Sequence, residues 1–238
     1  MAVADRPLEG RARHRVAAAV LLALTLACRG TPDRTPWPGP PTAIAPGVDL
    51  FQSTDQSLVD AAGPIAVSLL RLDPARVHLV SALSNDEVVD AERVDGIAAR
   101  HQAVAAINGG FFNVKNGEPI GLLKVRGELV SDTSLGRGAV VIHSPQDGTT
   151  QLWFDQISVR VTLKFRAEGF DWVVPIDGVD TTRERGKLML YTPAYHGDTD
   201  TATNGTEWII RGGRKPVVIG IRKDVGRTPI PRDGAVLF

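Results

Sequence analysis

Two carboxylates and a guanidinium fall within residues 177–183: Asp177 and Asp180 flank Gly178, and Arg183 follows. Carboxylates at this spacing can trade protons with a substrate or ligate a divalent ion. A guanidinium beside them can hold a phosphate through two parallel hydrogen bonds. The same pattern also suits a solvated turn. Tyr191 and Thr192 end an apolar stretch and offer hydroxyls where a site can form. His196 lies in a polar loop, and His78 and His101 read as structural. Upstream, the apolar run Ala103 to Ile107 meets Asn108-Gly109-Gly110-Phe111-Phe112-Asn113. A glycine pair at a strand end permits a sharp turn and lets backbone N–H groups approach an oxyanion or phosphate. None of these residue types is a strong acid, base or nucleophile. The run is therefore either the floor of a site or a tight turn with two core phenylalanines.

Several chemistries find no support. No Cys/His metal spacing, phosphate-loop pattern or Gly-x-Ser-x-Gly elbow occurs, so neither a cofactor nor a metal is expected. The 27 basic residues balance 27 acidic ones, and a chain without basic excess is a poor nucleic-acid ligand. The single cysteine, Cys28, excludes an internal disulfide, so stability must come from the core.

The elements that must position these groups begin after two non-globular segments. Residues 1–28 carry Arg6, Arg11, Arg13 and Arg15 ahead of an apolar stretch, Val16 to Ala27. That is too short for a membrane span and right for an export signal. Leu24-Thr25-Leu26-Ala27-Cys28 resembles a lipoprotein cleavage box, with Cys28 as the acylated residue. Residues 29–47 hold six prolines and read as an extended tether. From residue 48 onward the chain is strand-rich. Ile65–Leu72 and Arg76–Leu83 read as a hairpin broken by Asp73-Pro74, and Asp90–His101 has helical spacing. Ala103–Ile107 reads as a buried strand. Short apolar runs then recur from Ile120 to Leu237, with a turn at Arg126-Gly127. The expectation is an α+β domain over 48–238, with a large, mostly antiparallel twisted sheet and a few packed helices.

Taken in order, the motifs resemble the phosphodiester glycosidase family, which includes the lysosomal uncovering enzyme and bacterial exopolysaccharide-associated proteins. The resemblance runs from about Val67 to Phe238. It rests on Asp95–Ala106 leading into Asn108-Gly109-Gly110-Phe111-Phe112, then Pro119-Ile120-Gly121-Leu122 and Ile176-Asp177-Gly178-Val179 with Arg183. Leu188-Met189-Leu190-Tyr191-Thr192-Pro193, Thr203-Asn204-Gly205 and Ile230-Pro231-Arg232-Asp233-Gly234-Ala235 complete it. Two departures stand out. Family members commonly carry Asn at the position of Asp177. The family's later Asn-Leu-Asp-Gly-Gly-Gly-Ser-like motif is also missing, so the sequence reads as C-terminally shortened.

The resemblance implies an exported hydrolase, periplasmic or on the cell surface, that cleaves a sugar from a phosphodiester-linked glycan when the missing C-terminal part, which helps form the family's site, is supplied. Asp177 and Asp180 are the expected catalytic pair. Asn108, Gly109, Gly110, Phe111, Arg183, Tyr191 and Thr192 are the expected substrate-binding residues. Membrane contact is expected only through a lipid on Cys28. Two other readings stand beside it: a non-catalytic envelope protein that binds a glycan or phosphoglycan, and an inactive fragment.

Overall fold

A computed structural model of the chain describes residues 39–60, 62–132 and 136–238. The expected leader, Cys28 and most of the proline-rich tether lie outside them. Among the described residues, no helix is long and apolar enough to cross a membrane.

The protein is β-rich. Strands β1 (Thr42–Ala45), β2 (Val48–Ser53) and β3 (Val67–Leu72) form one antiparallel sheet. Three separate hairpins follow: β4 (Leu123–Val125) with β5 (Glu128–Ser131), β6 (Gly138–His143) with β7 (Gln151–Gln156), and β8 (Val161–Ala167) with β9 (Phe170–Ile176). A five-stranded sheet holds β10 (Gly178–Val179), β11 (Met189–Tyr191), β14 (Gly234–Leu237), β12 (Thr206–Arg211) and β13 (Val217–Lys223), in that spatial order. Only the β10–β11 pair in it is parallel. The Arg126-Gly127 turn forms as expected: both residues have positive φ, 51° and 87°, which matches the twist of a two-residue hairpin.

The α+β expectation is corrected to a β-rich architecture of several antiparallel sheets. One α-helix, α1 (Val94–Arg100), occurs among the described residues. It is shorter than the 90–101 spacing suggested, because Asp90 sits at φ 147° and Arg93 is extended. Two expected strands do not form. Leu79 N–H bonds the Ser144 hydroxyl at 3.1 Å and Val77 C=O accepts from Thr150 at 2.6 Å, so Arg76–Leu83 spends backbone groups on side chains. β3 pairs with β2 instead. Ala103 N–H is used to close the end of α1, on Ala98 C=O at 2.8 Å. The stretch after it finds no neighbouring strand, and Val104 and Ile107 are exposed.

The core lies on both faces of the β11–β14 centre. Side chains alternate across a strand. Met189, Tyr191 and Val236 join Val88, Val130, Tyr195 and Phe238 on one face. Leu190 and Leu237 join Ile176, Val179, Trp208 and Ile210 on the other. Burial fades outward: among the described residues twelve apolar residues are buried, whereas 27 large apolar residues are exposed, many on the β6–β7 and β8–β9 hairpins and β13.

Candidate functional site

The parallel β10–β11 pair creates the site's frame. Parallel strands end on the same side of a sheet, so the residues that follow them meet there. Asp180 follows β10 and Thr192 follows β11. Asp180 N–H bonds Leu190 C=O at 2.9 Å, and its φ of 50° turns the side chain back onto Thr192. One carboxylate oxygen accepts Thr192 N–H at 2.6 Å and the other accepts the Thr192 hydroxyl at 2.5 Å. A non-glycine residue held in the left-handed region beside a candidate site is stored strain of the kind functional positions carry. Asp180 has no exposed surface, and burial raises its pKa to about 7 despite the two donors. The group therefore sits near the midpoint of its titration at neutral pH.

The 180–188 crossover carries two further groups. Thr182 donates its N–H at 2.9 Å and its hydroxyl at 2.5 Å to the two oxygens of Glu118. Glu118 also accepts from the Asn116 amide at 3.2 Å. It is brought there by the tail of the Asn-Gly-Gly-Phe-Phe motif. Ile120 N–H bonds Phe111 C=O, and Asn113 N–H bonds Glu118 C=O, so residues 111–120 fold back on themselves. Arg183 donates to the Asn204 side chain and backbone carbonyl, and its guanidinium lies 4.1 Å from the Phe238 ring centroid. That ring packs on Gly205: a Cβ there would stand 2.2 Å from the ring, so only glycine fits. Among the described residues, two buried polar atoms in this region lack partners, Arg183 Nε and the Tyr191 hydroxyl. Burial, reinforced by neighbouring Tyr195, pushes the Tyr191 phenol far above its usual range, so it stays protonated. Both atoms are donors with unspent capacity.

A second buried carboxylate braces the loop beyond. Glu207, on β12, accepts from the Thr199, Thr201 and Thr228 hydroxyls at 2.6–2.9 Å. All four residues are buried.

The structure thus gathers Asp180, Thr192, Arg183 and Tyr191 from the expected residues. It leaves the others apart. Asp177 is exposed and accepts Leu188 N–H at 2.8 Å, which clamps the start of the crossover. Asn108, Gly109 and Gly110 are exposed, and no hydrogen bond among the described residues ties them to Asp180, Arg183 or Tyr191. Neither glycine has positive φ, and a Cβ on either meets nothing within 4 Å. The chain bends at Gly110, but no strand precedes the pair. Phe111 is 77% exposed, with Arg137 over its ring at 5.6 Å, so it is not a core residue. Glu118 and Thr182 were not picked out from sequence, and Asn204 only as part of the Thr203-Asn204-Gly205 motif. The available signal was that Glu118 directly precedes the Pro119-Ile120-Gly121 motif.

Two open surface hollows lie elsewhere, one around Asp49, Arg71 and Arg76 and one on the β8–β9 hairpin. Chemistry, not concavity, marks the Asp180 region. Among the described residues, no group of three or more His, Cys, Asp or Glu is arranged to hold a metal ion.

No protein-family model and no curated protein matches the chain. Its fold is similar to that of a solved structure described as a hypothetical protein from Synechocystis, with a TM-score of 0.59 and 20% identity. The match covers 80% of this chain and 35% of that one. The chain thus spans about a third of that protein's length, and the likeness is one of fold.

Proposed function

We propose that the chain is an exported, phosphodiester glycosidase-like hydrolase domain that removes a sugar from a phosphodiester-linked glycan. Two observations support this reading: the ordered motifs that resemble that family's, and the gathering of Asp180, Thr192, Arg183 and Tyr191 where β10 and β11 end. The second carries the mechanism. Glycosyl transfer needs one carboxyl group that is protonated near neutral pH and a second that is ionised. Asp180 fits the first role, because burial keeps its proton to about pH 7. Its path to a ligand runs through the half-buried Thr192 hydroxyl, 2.5 Å away, which would take the Asp180 proton on its oxygen as it gives its own to the leaving group. Glu118 is the second carboxylate gathered there, through Thr182, whereas Asp177 stands exposed at the start of the crossover. Arg183 supplies the cation for the phosphate, its guanidinium positioned by Asn204 and the Phe238 ring.

The test is release of reducing sugar from a sugar 1-phosphodiester by the full chain, compared with Asp180→Asn. Release that falls by 10²-fold or more in the variant is expected. No release, or equal release by the variant, refutes the reading. The internal satisfaction of both carboxylates favours a second reading, a phosphoglycan-binding protein without turnover. It would show as saturable binding of the same compound with no sugar released.

A further inference from the structure

We propose that the outer edge of β13 is a docking site for an extended peptide strand with an apolar centre and acidic ends. β13 pairs with β12 on one side and with no strand on the other among the described residues. Its sequence, Val217-Val218-Ile219-Gly220-Ile221-Arg222-Lys223, leaves Val217, Val218, Ile219 and Ile221 between 55% and 63% exposed. An edge this long and apolar is normally blunted by proline, by an inward charge or by a covering segment. β13 has no proline or charge in its first five residues. A bulge lies on β13 itself at Ile219, between the Ile209–Gly220 and Ile210–Val218 pairs, and the strand runs regularly on either side of it.

Charge identifies the occupant. Arg214 and Lys215 precede the strand, and Arg222 and Lys223 end it. None of the four belongs to an ion pair among the described residues. Nearby acids are few. Asp233 is committed to Arg211 at 2.8 Å, Glu207 is buried among threonines, and Asp224 stands alone after the strand. The same cations oppose a second copy of this chain. Antiparallel self-pairing about Gly220 would bring each copy's Arg222 and Lys223 to the end where the other carries Arg214 and Lys215. An added strand with acidic ends instead meets cations at both ends. Its alternate side chains would extend the half-buried row of Trp208 and Ile210, which Ile221 and Val218 continue on β13. Main-chain hydrogen bonds supply affinity in this mode and side-chain rows supply register.

The experiment uses the full chain and a fluorescent synthetic peptide spanning the strand's seven residues, alternating Val or Ile with Thr and ending in Asp and Glu. Saturable anisotropy that weakens with salt is expected. A basic-ended peptide should not bind. Methylating alternate backbone nitrogens on the pairing edge should abolish binding, which separates strand addition from charge attraction. The exposed double substitution K215E/K223E should weaken binding about tenfold, from reversing two surface contacts. Three results overturn the proposal: no binding by the acidic-ended peptide, binding indifferent to N-methylation, or a dimer by light scattering that excess peptide does not dissociate.

Discussion

Asp180→Asn isolates the energetic signature of the candidate acid. Burial raises the Asp180 pKa from 3.8 to about 7 in the fold, while the unfolded chain ionises near the ordinary value. Below about pH 3.8 the group is protonated in both states and its stabilising contribution is complete. Between about 3.8 and 7 the unfolded state has lost the proton and the folded state keeps it. Stability therefore falls by roughly 1.4 kcal/mol for each pH unit across that window, and the contribution is gone once pH passes the folded value. The whole shift corresponds to about 4 kcal/mol. Asparagine removes the titration yet keeps the geometry: it tolerates φ 50°, its oxygen can accept Thr192 N–H, and its amide can donate to the Thr192 hydroxyl. The measurement is urea unfolding of both proteins from pH 4.5 to 8, with stabilities referenced to a common m-value. Other titrating groups cancel in the difference. That difference should move by about 3 kcal/mol toward the variant over this range. A flat difference, or one that moves toward the wild type, would mean that Asp180 is ionised inside the fold, and the acid role would fall with it.

Other outcomes are equally open to measurement. Glu207→Ala should destabilise the chain by about 3 kcal/mol or more, since it strands buried threonine hydroxyls at 1–3 kcal/mol each, and Glu207→Gln should cost less; urea midpoints decide. Gly110→Val should leave the fold intact, because a Cβ there meets nothing, and circular dichroism should be unchanged. Loss of sugar-phosphodiester binding by that folded variant would support a role for the glycine pair at a ligand, and unchanged binding would remove it. Phe238→Ala takes away the ring under the Arg183 guanidinium and part of the core. Calorimetry should register a loss of about 3–5 kcal/mol. Mass spectrometry of material made in a lipoprotein-processing host should find a diacylated N-terminus at Cys28, whereas an unmodified start elsewhere refutes lipidation.

What could be read from the chain itself was local. Short apolar runs rich in β-branched residues foretold most of the strands between residues 120 and 237, because such side chains favour an extended backbone whatever packs there. Arg126-Gly127 was legible for the same reason, a turn demanding positive φ at adjacent residues. The pairing of the strands was not. Arg76–Leu83 and Ala103–Ile107 have the apolar content of strands, but a strand exists only where a neighbour supplies a ladder, and that neighbour lies far along the chain. The site divides along the same line. Asp180, Arg183, Tyr191 and Thr192 could be named from type and spacing within the short span they share. Their separation from Asp177, and their union with Glu118 from 62 residues upstream of Asp180, required the parallel crossover and the fold-back at residues 111–120. The raised pKa of Asp180 is tertiary as well, since residue type alone makes a carboxylate and only burial makes it hold its proton.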